Sequence, residues 1–127
     1  METINFEEFK KLDIRIGKII SAERVEGSDK LLKLKVNFGS MPGLDPKGEE
    51  NAAQKFAEED VRQIIAGIAQ FYDAEALIGK ECPFVYNLAP RMLKGLESQG
   101  MLLCPLADGN PVLMHPDKEI PPGSVVK

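Results

Sequence analysis

Apolar and polar positions alternate with a period of two along much of this chain. Asp13-Ile14-Arg15-Ile16 puts Ile14 and Ile16 on one face and Asp13 and Arg15 on the other. That is the pattern of a half-buried strand. Gly17 interrupts it before Ile19-Ile20, which predicts a bulge or sharp bend at the glycine. Beyond the turn residues Gly27-Ser28-Asp29, Leu32, Leu34, Val36 and Phe38 share one parity, while Lys33, Lys35 and Asn37 share the other. A second strand with a basic outer face follows from this, ended by Gly39. Residues 63–68 are apolar on both faces and predict a third, buried strand. Residues 82–88 predict a fourth, with Pro83 near its start where a missing N–H is tolerated. Residues 101–104 predict a fifth.

Two stretches have helical signals. Residues 73–79 begin with a capping Asp73, carry an acid in the first turn and end on Gly79. Asp45-Pro46 can open a second helix running to about Glu59, with Ala52, Ala53, Phe56 and Ala57 on one face and acids elsewhere. Five strands with one short helix between the third and fourth follow the order of an OB-fold, an all-β five-stranded Greek-key barrel. Such a barrel needs only about 70–110 residues. The 127-residue chain is therefore expected to be one domain, residues 1–127, with a helical insert at 41–60 and a C-terminal extension at 105–127.

Charge changes this picture in one place. Sixteen basic and twenty acidic residues give a net charge of −4, which argues weakly against a nucleic-acid partner. Residues 41–60 alone hold two basic and six acidic side chains, so the rest of the chain is neutral. The acidic balance belongs to the insert and says little about the remaining surface. No apolar run approaches the ~20 residues of a membrane span, and the N-terminus lacks the features of a signal peptide. Two cysteines, Cys82 and Cys104, and one histidine, His115, form no metal or disulfide pattern, so a reducing cytoplasm and no metal are expected.

Little in the sequence points to catalysis. His115 stands in a loop-like Met-His-Pro context, both cysteines fall in strand-like runs, and no phosphate-cradling glycine motif is present. No cofactor and no small-molecule substrate are expected. Binding has more support. Lys30, Lys33 and Lys35 decorate one turn and the outer face of the second strand, and Arg15 faces outward on the first. Lysines on outer faces also serve solubility and edge protection, so this row alone fits either role. Between the fourth and fifth strands, residues 87–101 are expected to form a loop that carries Asn87, Arg91, Lys94 and Ser98, cations and hydrogen-bond donors suited to phosphate and sugar oxygens. In an OB-fold this loop is one of two that grip an oligonucleotide.

Several motifs resemble the tRNA-binding domain family: Ile14-Arg15-Ile16-Gly17-Lys18-Ile19, Ser28-Asp29-Lys30-Leu31-Leu32, Arg62-Gln63-Ile64-Ile65-Ala66-Gly67-Ile68 and, most specifically, Asn87-Leu88-Ala89-Pro90-Arg91-Met92-Leu93-Lys94-Gly95-Leu96-Glu97-Ser98-Gln99-Gly100-Met101. That family comprises the OB module at the C-terminus of methionyl-tRNA synthetase and free-standing tRNA-binding proteins. A domain starting at Met1 fits the free-standing form, and a piece of a synthetase would look the same. The resemblance implies structure-specific tRNA binding by a non-catalytic module, pairing into a homodimer through the C-terminal extension, and a possible aminoacyl-tRNA synthetase partner. Carried over by position, it implies that Asn87, Arg91, Lys94, Ser98 and Met101 line the tRNA face with Lys30, Lys33 and Lys35 beside it. Val25-Glu26 stand where the family often has His-Pro, and the acidic insert replaces a short connection. Most aromatics occupy positions that want burial, which favours folded RNA read through phosphates and 2′-hydroxyls over single strands read by stacking. A dimeric OB-fold export chaperone for unfolded peptides is the alternative; its corresponding loop lacks the Gly-x-x-Ser-x-Gly-Met run found at residues 95–101.

Overall fold

The computed structural model describes residues 1–40 and 59–127. Four strands dominate the described residues: β1 (Ile14–Arg24), β2 (Leu32–Ser40), β3 (Glu59–Ala66) and β4 (Glu81–Val85). Shorter ones follow as β5 (Arg91–Leu93), β6 (Leu96–Ser98), β7 (Met101–Leu102), β8 (Leu106–Ala107), β9 (Asn110–Pro111) and β10 (Val125–Val126). Two single-turn helices, α1 (Phe6–Phe9) and α2 (Ala74–Leu77), complete the elements. The main sheet runs β3-β2-β1-β4-β7, with neighbours antiparallel.

Period-two patterning accounts for the curl and the core. Leu32, Leu34, Val36 and Phe38 all turn inward from β2 and are buried, while Lys33, Lys35 and Asn37 alternate outward. Ile64 on β3, Phe84 and Cys82 on β4, Ile19 on β1 and Leu77 on α2 meet them, all fully buried. The sheet closes where β3 approaches the segment before β7: Gln99 N donates to Gln63 O at 2.8 Å. Gly100, with φ +153°, lies there because a Cβ would meet the Val85 carbonyl at 2.9 Å. This is an OB-fold-type curled sheet, as the strand order implied.

Several elements depart from the sequence expectation. Gly17 does not break β1; the register shift falls between Ile19 and Ser21, and Gly17 instead leaves room for the Val36 side chain and the Phe38 ring. The fourth strand stops at Val85, and residues 87–101 are not a plain loop, since β5 and β6 pair as a hairpin within them. Lys94 (φ +51°) and Gly95 (φ +77°) form its two-residue turn, both left-handed as such a tight turn requires. Short helix α1 was not anticipated; Asn5 caps it by accepting from Glu8 N at 2.9 Å. The insert's last residues, Glu59 and Asp60, already belong to β3. The helix expected over 45–59, with its Ala52, Ala53, Phe56 and Ala57 stripe, otherwise lies outside the described residues.

The C-terminal extension folds back onto its own barrel. β10 pairs with the start of β1 through Ile14↔Val126 and Arg15↔Val125. Ile16 N donates to Ser124 O, and Gly123 N donates to Ile16 O. Farther back, Tyr72 Oη donates to Pro111 O and accepts from Leu113 N, and Leu113 packs against the core. The extension is thus tied to the barrel through its backbone and Leu113, while Leu106, Val112, Met114, Val125 and Val126 stay exposed. No helix among the described residues is long and apolar enough to cross a membrane.

Candidate nucleic-acid interface

The antiparallel register of β1, β2 and β3 sets two rows across the outer face of the sheet. Glu23, Lys33 and Ile65 form one row; Ser21, Lys35 and Gln63 form the next. Neither lysine is free of a protein partner. Lys33 Nζ lies 2.6 Å from Glu23 Oε1, which holds that carboxyl below its ordinary range. Lys35 Nζ donates to Gln63 Oε1 at 3.0 Å. The Lys33–Glu23 contact is at the surface, where water and salt exchange such pairs readily, so an incoming phosphate can compete for the lysine. Lys30 is exposed at the turn entering β2, beside the turn after β3, where Ala69 N donates to its carbonyl.

Gln63 links this face to the hairpin. Its Nε2 donates to Glu97 O at 2.9 Å, and its backbone N donates to Gln99 Oε1 at 2.9 Å. One residue pair away, Ile65 N donates to Ser98 Oγ at 3.0 Å, and that hydroxyl donates onward to Gly100 O at 3.1 Å. Side chains of the hairpin thereby satisfy the outer edge of β3 where no strand pairs with it. The hairpin is held in place with exposed Arg91 at its base and exposed Lys94 at its tip. Met101 is 41% exposed just beyond it.

Two of the sequence-expected residues spend their polar groups on the chain's own backbone. Ser98 is buried, 3% exposed, with its hydroxyl engaged in both directions, so it positions the hairpin and does not reach the surface. Asn87 accepts from Asp13 N at 2.9 Å through Oδ1 and donates to Lys11 O at 2.7 Å through Nδ2. Its amide fastens the chain before β1 to the end of β4. Lys30, Lys33, Lys35, Asn87, Arg91, Lys94 and Met101 are the seven at or near the surface. Sequence reasoning missed Gln63 and Gln99, whose role shows only when β3 and the hairpin meet.

A second cluster closes one end of the barrel. The Tyr86 ring is sandwiched between Arg15 Cζ at 3.9 Å and Arg62 Cζ at 3.6 Å, both within cation–π reach. Arg15 makes two 2.9 Å bonds to the Asp13 carboxylate, which raises its pKa; Arg62 donates to Tyr86 O and Asp60. Tyr86 Oη donates to Asp60, and burial followed by this bond raises the phenol pKa. Two cations and two carboxylates cancel, so Arg15 belongs to a structural plug and not to a basic face.

The Cys82–His115 pair is not arranged for nucleophilic chemistry. Cys82 Sγ lies 3.7 Å from His115 Nδ1, but that nitrogen is 2.7 Å from the Glu81 carbonyl. A carbonyl only accepts, so Nδ1 carries the proton and cannot take one from the thiol. Burial also pushes the thiol up to about 11. Cys104, expected in the core, is only partly buried and lines a groove beside Arg91.

Comparisons with known proteins bear on this surface. Residues 55–125 match the model of the tRNA binding domain family. Methionine–tRNA ligase of Caldanaerobacter subterraneus is 41% identical over 126 residues, covering 99% of this chain and 17% of the ligase. The chain spans about a sixth of the length of the curated relatives it matches. A MetRS related protein from Pyrococcus horikoshii has a solved structure that superposes with a TM-score of 0.79 at 34% identity, covering 100% of both chains. Chaperone CsaA from Bacillus anthracis superposes with a TM-score of 0.75 at 28% identity, over 99% of this chain and 100% of that one.

Proposed function

Because the chain belongs to the tRNA binding domain family, we propose that it is a non-catalytic, structure-specific tRNA-binding module, acting alone or as an accessory to methionyl-tRNA synthetase in the cytoplasm. The observation that carries this reading is the family match itself, which spans β3 and the hairpin with Arg91 and Lys94. Lys33 and Lys35 on β2, with Lys30 at its entry, extend the same surface through the Gln63 link. Cations at fixed positions on a rigid sheet and hairpin suit phosphates presented by a folded RNA, whose backbone carries no sequence information. Binding is therefore salt-dependent and similar across tRNA species.

Lys94 gives the cleanest test. It sits at φ +51°, which Asn tolerates, so Lys94→Asn removes the charge and keeps the turn. In salt-titrated gel shifts with total tRNA, this variant should lower the slope of log affinity against log salt by about 1. The losses should be equal across tRNA species. A change of preference between species at an unchanged slope would overturn the shape-reading mechanism.

We also propose that the chain forms a homodimer. Phe6 (68% exposed), Phe9, Leu12, Val125 and Val126 share an open groove where α1 meets β10, and all five stay exposed among the described residues. A two-fold axis through such a patch would bury it against its own copy. A second functional reading rests on the likeness to the chaperone from Bacillus anthracis: binding of unfolded polypeptide. A reduced, unfolded protein that displaces tRNA at equal concentration would favour it.

A further inference from the structure

Behind the hairpin lies a groove of about 430 Å³ whose apolar walls the phosphate-binding reading does not use. The end of β3 and the turn after it form one wall, β5 another, and the β8–β9 hairpin of the C-terminal extension the third. Apolar groups dominate it: Ile65, Leu93 and Leu102 line its depth, with Met101 and Phe71 (46% exposed) toward the opening. Arg91 is the sole charged side chain in the lining among the described residues, and no carboxylate faces in. Tyr72 fixes the third wall through its two bonds to Pro111 and Leu113.

We infer that this groove accepts one unpaired nucleobase of a folded RNA, stacked against Phe71 with its phosphate on Arg91. The inference rests on the tRNA-binding reading and adds to it a single point of contact with a base. A nucleotide joins an apolar, flat base to an anionic phosphate, and the groove offers an exposed aromatic ring and apolar walls beside one cation. Stacking of this kind is tolerant of base identity, since every base has a π-face. It therefore agrees with recognition by shape. A peptide segment meets the apolar walls equally well but brings no phosphate to Arg91, the one charged side chain in the lining among the described residues.

Gly67 makes the test clean. It lines the groove, its backbone φ is ordinary, and a Cβ there meets nothing within 4 Å. Gly67→Leu should fill the groove without disturbing the barrel, and Phe71→Ala should remove the ring. In gel shifts with total tRNA, each variant of the full chain should weaken binding about tenfold. Phe71→Tyr, which keeps a ring, should bind like wild type. A blunt-ended RNA duplex with no unpaired nucleotide should bind wild type and Gly67→Leu equally. Cys104 lines the same groove and supplies an independent readout: saturating tRNA should slow its alkylation, whereas the blunt duplex should not. Wild-type tRNA affinity in Gly67→Leu, or equal Cys104 protection by the duplex, would overturn the inference. Protection by an unfolded polypeptide and not by bound tRNA would overturn it too, assigning the groove to peptide. Failure of wild type to bind either RNA would instead reject the tRNA-binding reading, and this inference with it.

Discussion

Ser98 carries one hydroxyl, and both of its hydrogen-bonding functions are engaged inside the barrel, with Ile65 N and Gly100 O. Ser98→Ala leaves a buried N–H without its partner, at a cost of about 1–3 kcal/mol. Urea denaturation should show that loss, while the fraction that remains folded binds tRNA as before. A binding role would give the opposite result, with stability kept and affinity reduced. Cys82 provides a pH signature. A thiol whose pKa rises on folding adds stability that is complete below its unfolded value near 9 and lost as pH climbs through about 11. Urea midpoints measured from pH 8 to pH 11 should therefore fall across that window, and Cys82→Ala should flatten the fall. Any slope left in the variant is shared by the Cys104 thiol, raised by burial, and the Tyr86 phenol, raised by burial and by Asp60.

Strands with an even apolar period are legible in the sequence alone, and β2 shows why. Four inward residues and three outward ones admit only one way of facing the core. The hairpin at residues 91–98 was not legible, because its turn is Lys94-Gly95 and its strands are three residues each. Neither is long enough to establish a period. Its position also depends on Ser98, Gln99 and Gln63 meeting across 33 or more residues of chain. Gly17 has the clearest consequence among the strands. A methyl at this position runs into the Val36 side chain and the Phe38 ring, which stacks edge-on against Phe84 and Tyr86. Gly17→Ala should cost about 1–3 kcal/mol through forced repacking, read as a lower urea midpoint. Had the glycine served only as a bend, the substitution would cost less.

At the scale of the molecule, two surfaces point different ways in their chemistry. One carries Arg91, Lys94 and the β2 lysines; the other carries Phe6, Phe9, Val125 and Val126. For the proposed dimer, light scattering at micromolar concentration should give twice the chain mass for wild type and a monomer for Val125→Asp. A monomeric wild type would remove the dimer. Truncating the chain after Ala107 is a poor substitute for that variant. It would also strip β10 from β1 and Leu113 from the core. The extension looked like an appendage in sequence because its prolines break every period. Only its contacts make it part of the barrel.

The pairing of β10 with β1 joins residues 14 and 126, nearly the whole length of the chain apart. Contacts that distant are slow to find, because the intervening chain must give up its freedom before the contact repays it. On a ribosome, β1 must wait with one flank open until residues 123–126 emerge from the exit tunnel. Until then the backbone of Ile14 to Ile16 is an unprotected edge, open to pairing with a neighbouring nascent chain. Emergence of β10, and not the pairing of β1 with β4, sets the moment at which this edge is covered.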